Sequence, residues 1–288
     1  MSAPYSLPSY LTMNWITQDV MRALCEDLGP DSHDLSADFL PNHMSKARIV
    51  AREPGILCGQ PWAETAFRLT DPSSLVKITW HVRDGQAFSK GDVILSAEGP
   101  GCALLTAERT ALNFLQLLSG TATVTRRYVD ALTGYKARLL DTRKTIPGLR
   151  YAQKYAVLCG GGKNHRLGLY DQILLKENHI AFAGGITTLV TQLRARGIAA
   201  PVQIEVQNLD ELKEALSVQV DSILLDNFST EQLAEAVRYT AGAVPLEASG
   251  GVSLETLPNV ARTGVDFISV GSITKHVQAI DLSFLFEG

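Results

Sequence analysis

The sequence lacks the features that mark secreted, membrane-bound and disulfide-rich proteins. Its first residues contain no basic stretch followed by an apolar one, so we expect no signal peptide. No run approaches the roughly 18 consecutive apolar residues of a membrane-spanning helix. The 4 cysteines are widely scattered, at neither disulfide-framework nor metal-ligand spacing, and we expect them to be small buried side chains. These absences predict a cytoplasmic protein that does not bind a membrane.

A large excess of charge of either sign is also missing. The net charge is −4, and 19% charged, 7% aromatic and 45% hydrophobic residues are typical of a globular protein. The exception is residues 136–179, here called the basic segment, which hold nine Lys or Arg against three acids. That is a net +6, so the remainder of the chain carries −10. A basic segment inside an acidic protein favours a small polyanionic ligand and disfavours nucleic acid, which requires a broad basic face.

The second half of the chain alternates short apolar runs with helical stretches. Six β-branched or Leu-rich runs are each followed by a polar residue or glycine, which predicts βα units and a parallel sheet. Asn208 and Ser229 stand where helix N-caps are expected. The pattern favours a (β/α) barrel with fewer than eight strands, in which reactive groups follow the strands. An open doubly wound sheet is the alternative, but no GxGxxG motif supports it. The residues that end the six runs are Asp141, Lys176, Glu205, Asp226, Glu247 and Gly271.

The first 115 residues have a different pattern. Strand-like runs at 47–51, 76–82 and 93–97 are separated by turns, and a helix is predicted over 104–118. These elements predict a smaller α+β domain. A biotinyl or lipoyl carrier domain is an alternative, although no exposed lysine is evident in the hairpin that such domains modify. We expect domains over 1–115 and 116–275, with residues 276–288 as a candidate to pack on the first.

Three stretches of the basic segment predict an anion site. Residues 141–150 leave a predicted strand with Thr142, Arg143 and Lys144 in succession, before Pro and Gly prevent a regular helix. Residues 160–166 place three glycines before His165 and Arg166, and Lys176 ends the next strand. Glycine permits close approach of a backbone to a ligand, and the basic side chains can bind carboxylate or phosphate. The alternative is an ordinary turn with surface ion pairs.

Two carboxylates, Glu205 and Asp226, end neighbouring predicted strands. They could bind Mg²⁺, accept hydrogen bonds from ribose hydroxyls or act as a general acid/base pair. The alternative is that they only balance the charges of Lys144 and Lys176.

Small residues follow the last two predicted strands. Residues 247–251 and 269–272 are rich in Gly and Ser. Backbone N–H groups on such loops, together with the N-terminus of a following helix, can form a phosphate site.

Taken together, these segments resemble those of the quinolinate phosphoribosyltransferase family. One departure is visible, because the family often has a Gly-Asp-x-Thr-Thr run where this chain has residues 32–36, which puts only the local loop in doubt. The resemblance spans nearly the whole chain and is carried by residues 26–29, 106–113, 141–148, 160–166, 174–180, 204–206, 224–227, 247–251 and 269–272.

The resemblance implies a homodimer whose subunits combine an N-terminal α/β sandwich domain with an incomplete (β/α) barrel. It implies transfer of a phosphoribosyl group from phosphoribosyl pyrophosphate to quinolinate with decarboxylation, as in de novo NAD biosynthesis, with Mg²⁺ as cofactor. The quinolinate site implied is Arg143, Lys144, His165, Arg166 and Lys176, with Arg109 from the partner subunit. Ser249, Gly250, Gly271 and Ser272 would hold the 5′-phosphate, and Thr142 and Glu247 complete the substrate-binding set. The catalytic residues expected are Lys144, Lys176, Glu205 and Asp226, the last two holding the metal directly or indirectly.

Three other functions remain open from the residues alone. A related phosphoribosyltransferase for nicotinate or another acidic ring would need fewer positive groups. A Schiff-base aldolase using Lys144 or Lys176 would need a desolvated lysine, against which the neighbouring acids argue. A phosphate-ligand sensor or structural subunit would bind without turnover.

Overall fold

The computed structural model describes residues 7–287, and their contacts divide the chain into two compact units. The first unit contains the chain up to Arg126, then Thr145–Gly161, then the residues from Thr274 onward. The second unit contains Arg127–Lys144 and Gly162–Ile273. This division differs from a boundary at 115/116, because one long helix continues past that point and two later segments return to the first unit.

The described residues form helices and strands in the following order. The strands are β1 (Met44–Ala51), β2 (Gly55–Ile56), β3 (Lys77–Trp80), β4 (Ala87–Phe88), β5 (Val93–Pro100), β6 (Arg138–Leu140), β7 (Ile173–Leu175), β8 (Val202–Val206), β9 (Ser222–Asp226), β10 (Leu246–Ser249), β11 (Phe267–Ser269) and β12 (Leu282–Glu287). The helices are α1 (Met13–Leu28), α2 (Gln60–Thr70), α3 (Gly101–Ala131), α4 (Arg150–Cys159), α5 (Glu177–Ala183), α6 (Ile186–Ala195), α7 (Leu209–Ser217), α8 (Thr230–Thr240), α9 (Leu257–Arg262) and α10 (Ser272–Lys275). Within this described part, no helix is both long and apolar enough to cross a membrane.

The first unit is built on an antiparallel sheet with strand order β12-β1-β5-β3. β12 pairs with β1 along its length, from Lys46 opposite Glu287 to Ala51 opposite Leu282, so the C-terminal strand belongs to this sheet. The apolar faces of α1, α2 and α3 supply a core around Trp62 and Phe67. The loop that departs from the family pattern is ordered by Asp34, which accepts hydrogen bonds from Ser36 N at 2.9 Å and Thr106 Oγ1 at 2.8 Å.

A buried aspartate lies in this core beside two thiols. Asp84 accepts hydrogen bonds from Gln60 N at 3.2 Å, at the start of α2, and from Tyr155 Oη at 2.9 Å. The Sγ atoms of Cys58 and Cys159 and a carboxylate oxygen of Asp84 all lie within 4.8 Å of one another. Sequence spacing does not indicate this cluster, because the two cysteines are far apart along the chain. Burial raises the pKa of the Cys58 thiol well above its usual range, and two thiolates and a carboxylate around a divalent ion would leave a net negative charge in an apolar core. These thiols are therefore packing groups.

Burial gives Asp84 a pH-dependent effect on stability. Desolvation raises the pKa of Asp84 from 3.8 to about 6, so ionising it in the folded protein is unfavourable. Because the folded-state pKa is raised, the neutral Asp84 carboxyl contributes its full stability below about pH 4. This contribution is lost as the pH rises through about 6.

We expect Asp84→Asn to remove this dependence. Between pH 4 and pH 7 the wild-type chain should lose about 2 kcal/mol of unfolding free energy relative to the variant. Urea denaturation at several pH values measures the difference. Asp92→Asn is the matched control, since Asp92 is an exposed aspartate of the same unit. Parallel pH profiles for wild type and Asp84→Asn would contradict the prediction.

The second unit is built on a six-stranded parallel sheet with strand order β6-β11-β10-β9-β8-β7. The first strand of the unit pairs with the last, and the others follow in sequence, which is the strand order of a (β/α) barrel and not of a doubly wound sheet. Among the described residues β6 and β7 do not pair, so the barrel is incomplete.

The predicted helix N-caps in this unit are confirmed. The Asn208 side chain accepts hydrogen bonds from Asp210 N and Glu211 N at the start of α7. Ser229 forms a capping box with Gln232 at the start of α8. These caps fix where each helix begins after its strand, so the strand ends are held in place.

Candidate active site

A cavity of about 470 Å³ lies at the carboxyl ends of the strands of the second unit. Parallel strands end at one edge of a sheet, so residues far apart in sequence meet there. Eleven of the predicted site residues line it: Thr142, Arg143, Lys144, His165, Arg166, Lys176, Glu205, Asp226, Glu247, Ser249 and Gly250. The lining also includes Leu174, Leu224, Asn227, Gly251 and Ser269, which were not among the predicted residues.

Three predicted residues are not part of this lining. Gly271 follows β11, and a Cβ placed on it would lie 2.9 Å from Lys144 Cδ, so glycine there makes room for the lysine. Ser272 begins α10, and its Oγ is buried with no hydrogen-bond partner. Arg109 lies on α3 in the first unit, with an exposed side chain 4.0 Å from Glu108 Oε1. An ion pair at that distance and exposure contributes little to stability.

Asp141 holds the basic loops in place. It is fully buried after β6 and accepts hydrogen bonds from His165 N at 2.8 Å and Asn164 Nδ2 at 2.7 Å. A bridge between Leu140 and Lys163 extends the same contact along the backbone. The loop that follows the glycines is therefore fastened to the end of β6, which brings Arg143 and Arg166 to one cavity.

The basic side of the cavity contains two guanidinium groups. Arg166 Nη1 donates to Gln172 O at 3.2 Å, and the side chain is largely buried. Burial, and then the nearby charge of Arg143, lower the pKa of Arg166 from its ordinary value. Two guanidinium groups in one cavity, whose charges affect each other, favour an anionic ligand with more than one negative charge.

The carboxylates stand on the neighbouring strands β8 and β9, where Asp226 ends β9 as predicted but β8 extends one residue past Glu205, to Val206. Glu205 Oε2 lies 2.5 Å from Lys176 Nζ, and Asp226 Oδ2 accepts from Asn227 Nδ2 at 2.8 Å. Burial, and then the charge of Glu205, raise the pKa of Asp226. Oxygen ligands and like-charge repulsion of this kind suit a hard divalent cation.

The sequence pattern predicts that Glu247 ends its strand, and this prediction is wrong. β10 extends to Ser249, because its backbone pairs with β9 from Leu246 to Ser249, and Glu247 lies inside it. Glu247 Oε2 accepts from Gln203 Nε2 at 2.8 Å. Gln203 was missed by the sequence analysis. Its signal was a polar residue between the apolar Val202 and Ile204, at a position where β8 is buried.

Comparisons with known proteins agree with this geometry. A model of the quinolinate phosphoribosyl transferase N-terminal domain matches residues 23–119, and one of the C-terminal domain matches residues 121–285. The chain belongs to the quinolinate phosphoribosyltransferase family. A family relative from Synechocystis sp., named "Probable nicotinate-nucleotide pyrophosphorylase [carboxylating]", is 44% identical over 276 residues, covering 93% of this chain and 92% of the relative. A relative of the same name from Bacillus subtilis is 40% identical over 260 residues, covering 90% of this chain and 89% of the relative.

A solved structure of the family is also similar. The nicotinate-nucleotide pyrophosphorylase from Francisella tularensis has a TM-score of 0.93 and 46% identity, covering 96% of this chain and 98% of that one. The two-domain α/β fold is therefore the family fold.

Substitution of Gly250 by alanine tests the close packing beside the cavity. It has φ +105°, and an added Cβ would lie 2.1 Å from Asn227 Oδ1, so Gly250→Ala should both strain the backbone and displace Asn227. Gly251→Ala is the matched control, because Gly251 also has a positive φ, +56°, but nothing within 4 Å. We expect Gly251→Ala to cost about 1 kcal/mol of unfolding free energy and Gly250→Ala at least about 2 kcal/mol more. Chemical denaturation measures both, and equal losses would refute the close packing.

Proposed function

We propose that this chain joins quinolinate to phosphoribosyl pyrophosphate, giving nicotinate mononucleotide, pyrophosphate and carbon dioxide in de novo NAD biosynthesis. The observation that carries the proposal is the cavity, which sets four basic side chains against the carboxylates of Glu205 and Asp226 at the ends of parallel strands. Family membership over nearly the whole chain supports the same reaction.

The basic side of the cavity suits the pyridine substrate. Quinolinate carries two adjacent carboxylates, and planar guanidinium groups bind carboxylates bidentately. We assign Arg143 and Arg166 to these carboxylates, with Lys144 and Lys176 as point charges and His165 beside them. A dianion can pair with both guanidinium groups, whereas a monoanion would leave one of them without a carboxylate.

The acidic side suits the sugar. The ring nitrogen of quinolinate attacks C1 of the ribose, and the bond from C1 to pyrophosphate breaks. Positive charge develops on the sugar as pyrophosphate leaves, and the carboxylates of Glu205 and Asp226 stabilise it or accept hydrogen bonds from its hydroxyls. The 5′-phosphate is assigned to the small residues after the last two strands: Ser249, Gly250, Gly271 and Ser272.

Decarboxylation follows from the new bond. Once the ring nitrogen is bonded to C1 it is cationic, so it stabilises the electron pair left on the adjacent carbon when CO₂ departs. A proton then takes the place of the carboxylate, and Lys144 and Lys176 are charged N–H donors in the lining. No covalent intermediate with the protein is required, and the Lys176–Glu205 ion pair disfavours a Schiff base at this lysine.

The metal proposed for this reaction is Mg²⁺, held by Glu205 and Asp226 directly or through water. Their oxygen atoms match the ligands that Mg²⁺ prefers. The chemistry that Mg²⁺ supplies when bound is neutralisation of the charge on the leaving pyrophosphate.

A cytoplasmic homodimer is the assembly proposed. Both units expose large apolar side chains that a partner could cover, including Phe39, 87% exposed, and Phe182, 97% exposed. In the dimer, the exposed Arg109 would complete the quinolinate site of the partner subunit. Neither nucleic acid nor a membrane is a proposed partner.

Substrate choice is the direct test of the proposed function. With phosphoribosyl pyrophosphate and Mg²⁺, we expect quinolinate to yield CO₂ and nicotinate mononucleotide in equal amounts. We expect kcat/KM for nicotinate to be at least roughly a hundredfold lower, because a buried guanidinium left without its carboxylate costs a few kcal/mol. Comparable values for the two acids would favour the alternative, a phosphoribosyltransferase for nicotinate or another acidic ring.

Subunit mixing tests the role of Arg109. We expect Arg109→Ala and Lys144→Ala to be inactive alone, and to recover activity when unfolded, mixed and refolded together. Random pairing makes half of the dimers heterodimers, each with one intact site, so roughly a quarter of wild-type activity should return. No recovery despite verified exchange of subunits would show that Arg109 does not act across the interface.

The reciprocal mixture is the control for this experiment. A chain carrying both substitutions is mixed in equal amounts with wild type. If the site is shared, both sites of the heterodimer are damaged, and roughly a quarter of the activity remains. If each chain holds a whole site, roughly half remains, which would contradict the shared site.

A further inference from the structure

A buried polar network in the second unit has no part in the reaction steps described above. It consists of His165, Gln203 and Glu247, whose exposures are only 9% for the histidine side chain, 3% and 2%. Buried polar groups are costly unless their hydrogen bonds are satisfied, and such networks fix one arrangement of their members.

The network has one orientation when followed from Glu247. A carboxylate only accepts hydrogen bonds, so Gln203 must turn its amide nitrogen toward Glu247 Oε2, 2.8 Å away. The amide oxygen of Gln203 then faces His165 Nε2 at 3.0 Å. Because that oxygen also only accepts, Nε2 of His165 must carry a proton. Glu247 Oε2 lies 3.3 Å from the same nitrogen and favours the same proton position.

The other ring nitrogen leads to the same tautomer independently. The backbone N–H of Arg166 donates to His165 Nδ1 at 2.7 Å. An N–H cannot donate to a protonated nitrogen, so Nδ1 carries a lone pair. Both ends of the network therefore require a neutral ring with its proton on Nε2. Both ring nitrogens are occupied by contacts within the protein.

We propose that Gln203 is a positioning residue for Arg166, acting through His165. With Glu247 it fixes the Nε2–H tautomer, and the lone pair on Nδ1 then holds the peptide N–H of Arg166. His165 thus orients the Arg166 peptide as well as lining the proposed quinolinate site. The inference rests on the proposed function only for its kinetic test.

The position of this peptide matters because Arg166 follows a glycine-rich loop. Asp141 fastens the backbone one residue earlier, at His165 N, 2.8 Å away. The ring of His165 fastens the next peptide, and Arg166 Nη1 is held by Gln172 O. In the other tautomer an N–H would face the N–H of Arg166, and the loop would have to move.

The tautomer is measured by ¹⁵N NMR of the full chain labelled at histidine, with His165→Gln to assign the signal. We expect an unprotonated Nδ1 and a protonated Nε2 in the wild-type chain, and a mixture of tautomers in Gln203→Leu. Gln153→Leu is the matched control. Gln153 is also fully buried with two hydrogen bonds, to Ile146 N at 2.8 Å and Thr274 O at 2.7 Å, but it lies in the first unit. A proton on Nδ1 in the wild-type chain, or an unchanged tautomer in Gln203→Leu, would overturn the proposal.

A pair of histidine variants tests the kinetic consequence and does not depend on Gln203→Leu folding. His165→Asn retains an acceptor near the Nδ1 position, whereas His165→Gln retains a donor near Nε2 and has nothing at Nδ1. We expect KM for quinolinate to rise at most roughly threefold in the first and roughly tenfold or more in the second, with KM for phosphoribosyl pyrophosphate little changed in both.

The outcomes separate this proposal from the proposed function. Equal losses in the two variants would show that the Nδ1 contact with the Arg166 peptide does not determine quinolinate binding, and a larger loss in His165→Asn would place the important contact at Nε2. Either result overturns the positioning role. A wild-type chain that does not turn over quinolinate would reject the proposed function, while the NMR result would still decide the tautomer.

Discussion

The pairing of β6 with β11 is the constraint on which the site depends. It places the first strand of the second unit beside the last, and the intervening strands then follow in sequence. Because all six strands are parallel, their carboxyl ends share one edge. Arg143, in the loop after β6, and Ser269, which ends β11, therefore line one cavity although they lie far apart in the chain. Without this pairing, Arg143 and Lys144 would not face the carboxylates of β8 and β9.

Buried polar groups determine the shape of that cavity. Asp141 and Glu247 are buried carboxylates, and each accepts hydrogen bonds from groups that it also holds in place, although Glu247 Oε1 has no partner among the described residues. At each position, the hydrogen bonds that make burial of the carboxylate tolerable also fix the loops that carry the charged side chains.

Much of the second unit could be predicted because its pattern is local. Alternating apolar runs and helices gave the βα units, and Asn208 and Ser229 gave the helix starts. The end of β10 could not be predicted, because its last pairs depend on β9 and not on its own residues.

Contacts between distant residues account for what the sequence did not reveal. The proximity of Cys58 and Cys159 arises from tertiary packing, which sequence spacing does not record. The role of Gln203 depends on two side chains from other elements. Within the site, the lining residues at strand ends were predictable, whereas the hydrogen bonds that orient them were not.

The position of β12 has a consequence for the order in which the protein folds during synthesis. β12 forms the edge strand beside β1, yet it is made long after β1 and after the whole second unit. β1 therefore remains an unpaired edge while β6 to β11 are synthesised. Nascent chains usually fold from the N-terminus. Here completion of the first sheet must wait for β12, and β1 stays open to wrong strand partners until β12 pairs with it.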